Sequence, residues 1–320
     1  MRATLTTGSL HTPPSRFDLR AAAVEYSTWI LLVVLIAVGT SVTPLFFSTQ
    51  NFIDILQQSS IIGVMDVGQF IVILTGGIDL GVGSMLALAA IVGALGVGVS
   101  PAIGIVGSIA VCSLIGAATG LLIALGRLPP FIVTFATLAI ARGAALTITS
   151  GGPVNLAPSW FLDIGTGLWP QAIWAVVIAL AWMLLARLPV GRHVYATGGN
   201  VEAAKVSGIN TTAIYVLVYT LSAACAAVGG LIFAARSTVA LPTYGAGYEL
   251  QTIAACVLGG TDLFGGTGKL SGVVLGVIIL TMLSNILDLT GVNPFWNFIA
   301  VGLALWLSVS FRSRLIAWKH

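Results

Sequence analysis

The chain has 320 residues, of which 58% are hydrophobic and only 7% charged, with 13 basic and 10 acidic side chains and a formal net charge of +3. Soluble domains carry roughly 25% charged residues, and the mean hydropathy here is +1.06, so a water-soluble globule is excluded and lipid is the main solvent. Cys112, Cys225 and Cys256 all lie in apolar stretches, where they act as small hydrophobes and supply neither a disulfide framework nor a metal cluster.

The first 23 residues are polar and include Arg2, Arg16 and Arg20. The apolar run after them, at 24–43, is longer than the core of a cleaved signal peptide and lacks a convincing small-residue cleavage site, so it predicts a retained first helix. Further runs at 59–76, 80–99, 102–126, 131–149, 171–188, 213–235, 248–260, 270–289 and 294–311 predict an all-α polytopic membrane protein of about ten spans, the eighth the weakest. A tail at 1–23, one transmembrane domain at 24–311 and a tail at 312–320 make up the chain. With the first helix entering from the cytoplasm, 11 of the 13 basic residues fall on the cytoplasmic side, Arg142 and Arg236 being the exceptions. Short loops rich in Lys and Arg stay inside, so both termini are expected to be cytoplasmic. The outer segments "PLFFSTQNFIDILQQ" and "SGGPVNLAPSWFLDIGTGLWP" carry no basic residue.

Within the second span, "SSIIGVMDVGQFIVIL" places Asp66 deep in apolar sequence, with Gln69 three residues on and on the same face. A charge inside hydrocarbon is costly and faces protein or water. A carboxylate beside an amide offers the donors and acceptors that sugar or polyol hydroxyls need. An interhelical hydrogen-bond pair, with Arg142 of the fifth span as partner, accounts for the same residues equally well. A proton or sodium relay through Asp66 and Asp79 has no further support, because His11, His193 and His320 fall in predicted cytoplasmic segments.

"LTGGIDLGVGS" at 74–84 and "LGGTDLFGGTG" at 258–268 repeat G-G-x-D-L, once in each half, which points to an internal duplication. Asp79 and Asp262 are expected to cap the helix that follows each; glycine clusters in apolar sequence also mark broken helices beside transport pathways. In the fourth span Gly104, Gly107, Gly116 and Gly120 predict close helix packing. The second repeat runs on into "GGTGKL", which resembles a phosphate loop but is not one: Leu263 stands where the first glycine is required, and Lys269 is followed by Leu270 rather than Ser or Thr. Asn285 and Asp288 near the end of the ninth span, with Asn293 and Asn297 beyond, are weaker pathway candidates that amphipathic helix ends explain nearly as well. No nucleophile, base or metal set converges, so an enzyme is not indicated.

The most polar internal segment is "RLPVGRHVYATGGNVEAAKVSGINTT". Asn200 is expected to cap a helix over 201–207 that Gly208 ends. Two turns alone in water are marginal, so this helix either packs on its own helix ends or gains stability by docking on a partner.

"GRHVYATGGNVEAAKVSGIN" strongly resembles the cytoplasmic signature of ribose/xylose-type permease subunits of bacterial monosaccharide ABC importers. "ILTGGIDLGVGSMLAL", "GRLPPFIVTFATLAIARG", "GGPV" and "PTYGAGYELQTIAACVLGGTDLFGGTG" resemble the same family in the same order, over roughly 24–311. The resemblance implies a multi-pass subunit of the bacterial inner membrane, paired as a homodimer. It implies a separate cytoplasmic ATPase, which hydrolyses the ATP, and a periplasmic sugar-binding protein, with no cofactor bound by this chain and no nucleic-acid partner. It also implies that Gly199, Asn200, Glu202, Ala203, Ala204 and Lys205 couple to the ATPase, while Asp66, Gln69, Asp79, Arg142 and Asn285 are the pathway candidates. Asp66 and Gln69 depart from the ribose-type pattern, as does "RLPP", leaving another pentose, a hexose, a sugar alcohol or a deoxysugar as substrate. A nucleoside or branched-chain amino-acid permease, and an ion-coupled secondary transporter, are the rival readings.

Overall fold

The computed structural model describes residues 19–293, 295–304 and 306. The expected tail at 312–320, and residues 1–18 of the one at 1–23, lie outside them. The helices are α1 (Leu19–Val42), α2 (Thr49–Leu74), α3 (Val82–Val97), α4 (Pro101–Gly126), α5 (Pro130–Thr149), α6 (Trp169–Ala186), α7 (Pro189–Gly199), α8 (Val201–Val206), α9 (Thr211–Ser237), α10 (Tyr248–Leu258) and α11 (Leu270–Leu289). Residues 296–304 are helical as well. A two-residue antiparallel ribbon, β1 (Val154–Asn155) with β2 (Val239–Ala240), ties the α5–α6 connection to the one between α9 and α10.

The protein is an all-α polytopic membrane protein. Among the described residues, α2, α4, α5, α6, α9 and α11 are long and apolar enough to cross a bilayer. α3 and α10 are apolar but have only 16 and 11 residues, which reach about 24 and about 16 Å against a hydrocarbon thickness of about 30 Å. Such short helices fit where protein rather than lipid surrounds them, and α3 is indeed buried along nearly its whole length.

Helix starts follow local chemistry. α2 begins ten residues before the predicted span, within what reads as an outer loop, because Ser48 Oγ accepts the Asn51 N–H at 3.2 Å and a 3-10 turn at Pro44–Phe47 leads in. Ser100 does the same for α4, with Pro101 at the first helical position, where its missing N–H costs nothing. The segment before the expected short helix, read as loop, is helix α7. It buries Gly191, Val194 and Thr197 three residues apart, a face whose mixed composition hides its periodicity.

α2, α3 and α9 form the centre, with α4 laid along α9. That seam is backbone on backbone: a Cβ on Gly116 would overlap the Tyr219 carbonyl oxygen, and one on Gly120 would come within 2.6 Å of Tyr215 O. The predicted close packing holds at these positions and at Gly104, whereas Gly107 has nothing within 4 Å. α2 is the most enclosed long helix, and its interior half from Ser59 to Leu74 is buried at every residue.

Candidate functional site

The two G-G-x-D-L segments form matching turns. Asp79 Oδ1 accepts the N–H of Gly81 at 2.8 Å, and Asp262 Oδ1 accepts that of Phe264 at 3.0 Å, both two residues along the chain. Neither aspartate is the expected helix cap. Gly81 and Lys269 are the residues that precede α3 and α11, and each carboxylate instead closes its own turn. Asp79 goes further, accepting from Ser222 Oγ of α9 at 2.7 Å with its second oxygen. The first repeat is thereby fastened to the central helix.

Both turns meet the end of α7. Gly266 N–H donates to the carbonyl of Leu74, the last residue of α2, at 3.0 Å. A Cβ on Gly198 would overlap that same carbonyl oxygen, one on Gly265 would lie 2.5 Å from Gly76 N and 3.1 Å from Gly198 Cα, and one on Gly266 would lie 2.9 Å from Gly199 Cα. Gly76, Gly265 and Gly266 also have φ of 77°, 91° and 75°, a left-handed conformation that glycine adopts without cost. The Tyr195 hydroxyl donates to Gly268 O at 3.1 Å across the same junction. The glycines that imitate a phosphate loop are therefore the contact surface between three backbone segments.

Asp66 and Gln69 are both fully buried. Asp66 Oδ1 accepts from Cys256 Sγ of α10 at 3.2 Å. Asp66 Oδ2, Gln69 Oε1 and Gln69 Nε2 have no hydrogen-bond partner among the described residues. Each orphaned buried polar atom costs about 1–3 kcal/mol, more for a charged group. Such groups call for a partner such as ordered water or a ligand.

Arg142 is not the partner the sequence offered for them: its Nη1 donates to the carbonyls of Pro242 and, at 2.8 Å, Tyr244, so it braces the approach to α10. Asn285 Nδ2 donates to Asn51 Oδ1 at 2.7 Å, and Asn51 Nδ2 in turn donates to Phe46 O at 2.9 Å. Asn285 thus joins α11 to the start of α2, with its own Oδ1 unpartnered among the described residues. The structure brings Asp66 and Gln69 together on one face and leaves Asp79, Arg142 and Asn285 in separate networks. Sequence reasoning missed Cys256 and Ser222, whose partners lie 190 and 143 residues away with no spacing signal to link them.

On the other side of the glycine junction, Asn200 caps α8 as expected, accepting from Ala203 N–H at 2.9 Å. Ala204 is buried while Glu202 and Lys205 project outward, 2.8 Å apart as an i,i+3 ion pair. Hydrogen bonding and charge from Lys205 hold the Glu202 carboxyl below its ordinary range. Gly208, at φ 83°, ends the helix with its N–H on Lys205 O.

The pattern of the family described as "Branched-chain amino acid transport system / permease component" matches residues 51–309. The ribose import permease protein of Escherichia coli (strain K12) is 40% identical over 308 residues, 92% of this chain and 95% of the relative. That of Bacillus subtilis (strain 168) is 36% identical over 95% of this chain and 97% of its own. The L-arabinose transport system permease protein of E. coli (strain K12) is 32% identical over 97% of each. No solved structure matches the chain.

Proposed function

The chain belongs to the permease-component family of the branched-chain amino acid transport type, and from that membership we propose that it is the membrane subunit of an ATP-driven importer for a monosaccharide or related polyol. Similarity to sugar permeases along nearly the whole chain carries the reading. The family's description names branched-chain amino acids, but the ribose and arabinose permeases set the substrate class, and buried Asp66 and Gln69 suit hydroxyl groups better than an apolar side chain. Ribose, set aside on the departures at Asp66, Gln69 and "RLPP", returns to the candidate sugars, since ribose permeases are relatives at 36–40% identity.

In this reading residues 24–311 form one transmembrane domain of about ten spans, with both ends in the cytoplasm of a bacterial cell and the domain in its inner membrane. Two copies enclose the pathway. The subunit binds no cofactor and performs no hydrolysis; a cytoplasmic ATPase spends the ATP, and a periplasmic binding protein delivers the sugar. Asp66 and Gln69 line the route, and the atoms they leave unpartnered exchange hydrogen bonds with sugar hydroxyls as the route opens. Asp79, Arg142 and Asn285 brace its walls. The exposed face of Gly199, Asn200, Glu202, Ala203 and Lys205, backed by buried Ala204, receives the ATPase.

Uptake of a panel of labelled sugars, with and without the companion ATPase and binding protein, tests this. Uptake that needs both partners is expected. Uptake by this chain alone that collapses with the ion gradient would establish an ion-coupled transporter instead.

A further inference from the structure

Gly76, Gly198 and Gly265 come from three segments far apart in sequence and meet with no side chain between them. Elsewhere α7 packs conventionally, through buried Val194 against the cluster that includes Leu74 and Val218. At the junction the contact is of another mechanical kind. A side chain can absorb a displacement by changing rotamer, whereas peptide groups in van der Waals contact are planar and stiff and pass it on. The junction also sits at the ends of elements that matter. Leu74 closes α2, roughly 12 Å along the helix from Asp66, and the turn that carries Gly265 and Gly266 follows α10, which ends at Leu258, two residues beyond Cys256. α2 and α10 meet at the contact between Asp66 and Cys256. On its outer side the junction continues through Gly199 into Asn200 and α8.

We infer that this glycine junction is the transmission element of the importer: displacement of α8 and α7 passes through Gly198 to the Leu74 end of α2 and to the Gly265–Gly266 turn that follows α10, and so shifts Asp66 and Gln69 relative to Cys256. The inference rests on the permease reading above and adds the route by which the repeated G-G-x-D-L loops take part in it. Coupling of this sort needs a contiguous physical path, and here the path is backbone contact and two hydrogen bonds, Gly266 N–H to Leu74 O and Tyr195 hydroxyl to Gly268 O. Gly198 and Tyr195 are positioning residues; neither touches the sugar.

The test uses the assembled transporter in liposomes and measures ATP hydrolysed per sugar imported. Tyr195→Phe removes one hydrogen bond and should raise that ratio about threefold or more, with the ATPase still co-purifying at normal stoichiometry. Gly198→Ala, which drives a methyl into the Leu74 carbonyl, should raise it about tenfold. Gly107→Ala, at a glycine with open space around it, should leave it unchanged. If Gly198→Ala fails to assemble, Tyr195→Phe decides alone. A normal ratio in Tyr195→Phe, or a proportional fall of uptake and hydrolysis, overturns the transmission role while leaving the importer reading intact. Uptake in the unsubstituted protein that ignores the ATPase would remove that reading itself.

Discussion

Asp66 is the residue on which the pathway assignment turns, because its carboxylate has one thiol partner and one bare oxygen in a fully buried position. Asp66→Asn keeps the shape while replacing the carboxyl group with an amide. If the group serves the sugar, uptake should fall about threefold or more with membrane yield unchanged, since a hydrogen bond is worth about 0.5–1.5 kcal/mol. Loss of yield in step with loss of uptake would make it a helix-joining residue. Cys256→Ser retains a donor toward Asp66 and should cost less than Cys256→Val, a comparison that uptake assays at equal expression would read. Sequence reasoning could isolate Asp66 and Gln69, since charge in hydrocarbon stands out against its surroundings. It could not find their partners, and it named Arg142 as one, because a cation within another span is visible in the sequence whereas the backbone carbonyls that hold it are not.

At the scale of elements, α8 shows how little a short helix holds by itself. Its six residues depend on the Asn200 cap, the Gly208 stop and the single buried Ala204. Asn200→Ala should weaken it by about 1 kcal/mol, read as faster amide exchange over 201–206 in the isolated permease and restored protection once the ATPase is bound. Because Glu202 has a depressed pKa, its pairing with Lys205 stabilises α8 above the ordinary value of 4.5 and is lost as pH falls through the lower, folded value. Reversing both charges, Glu202→Lys with Lys205→Glu, leaves a pair in place yet inverts the surface shown to a partner, so ATPase binding should weaken while helix content stays the same. This helix was legible from its Asn and Gly punctuation. α7 was not, since Gly191 and Thr197 take positions on its buried face where an apolar pattern would have announced it.

For the whole molecule, sequence gave the positions of apolar runs well, because lipid demands near-continuous hydrophobicity, but not the inequality of their roles. α3 is as apolar as its neighbours yet lies enclosed by protein, while α6 shows most of its surface outward. What separates them is glycine and small-residue placement read in three dimensions. Gly120→Val should therefore sharply reduce folded yield, by forcing a branched side chain onto the Tyr215 carbonyl, whereas Gly107→Val should be tolerated; thermal stability of the purified protein distinguishes the two.

The same seam has a bearing on how the protein is made. Around Gly116 and Gly120 the glycine face of α4 packs on α9, and roughly 85 residues separate the end of one helix from the start of the other. At bacterial and eukaryotic elongation rates of about 5–20 residues per second, α4 waits roughly 4 to 17 s in the bilayer with its backbone groove uncovered. This seam cannot close in order of insertion: α3 can pack on α4 as soon as both are in the bilayer, but the Gly116–Gly120 groove is covered only once α9 arrives.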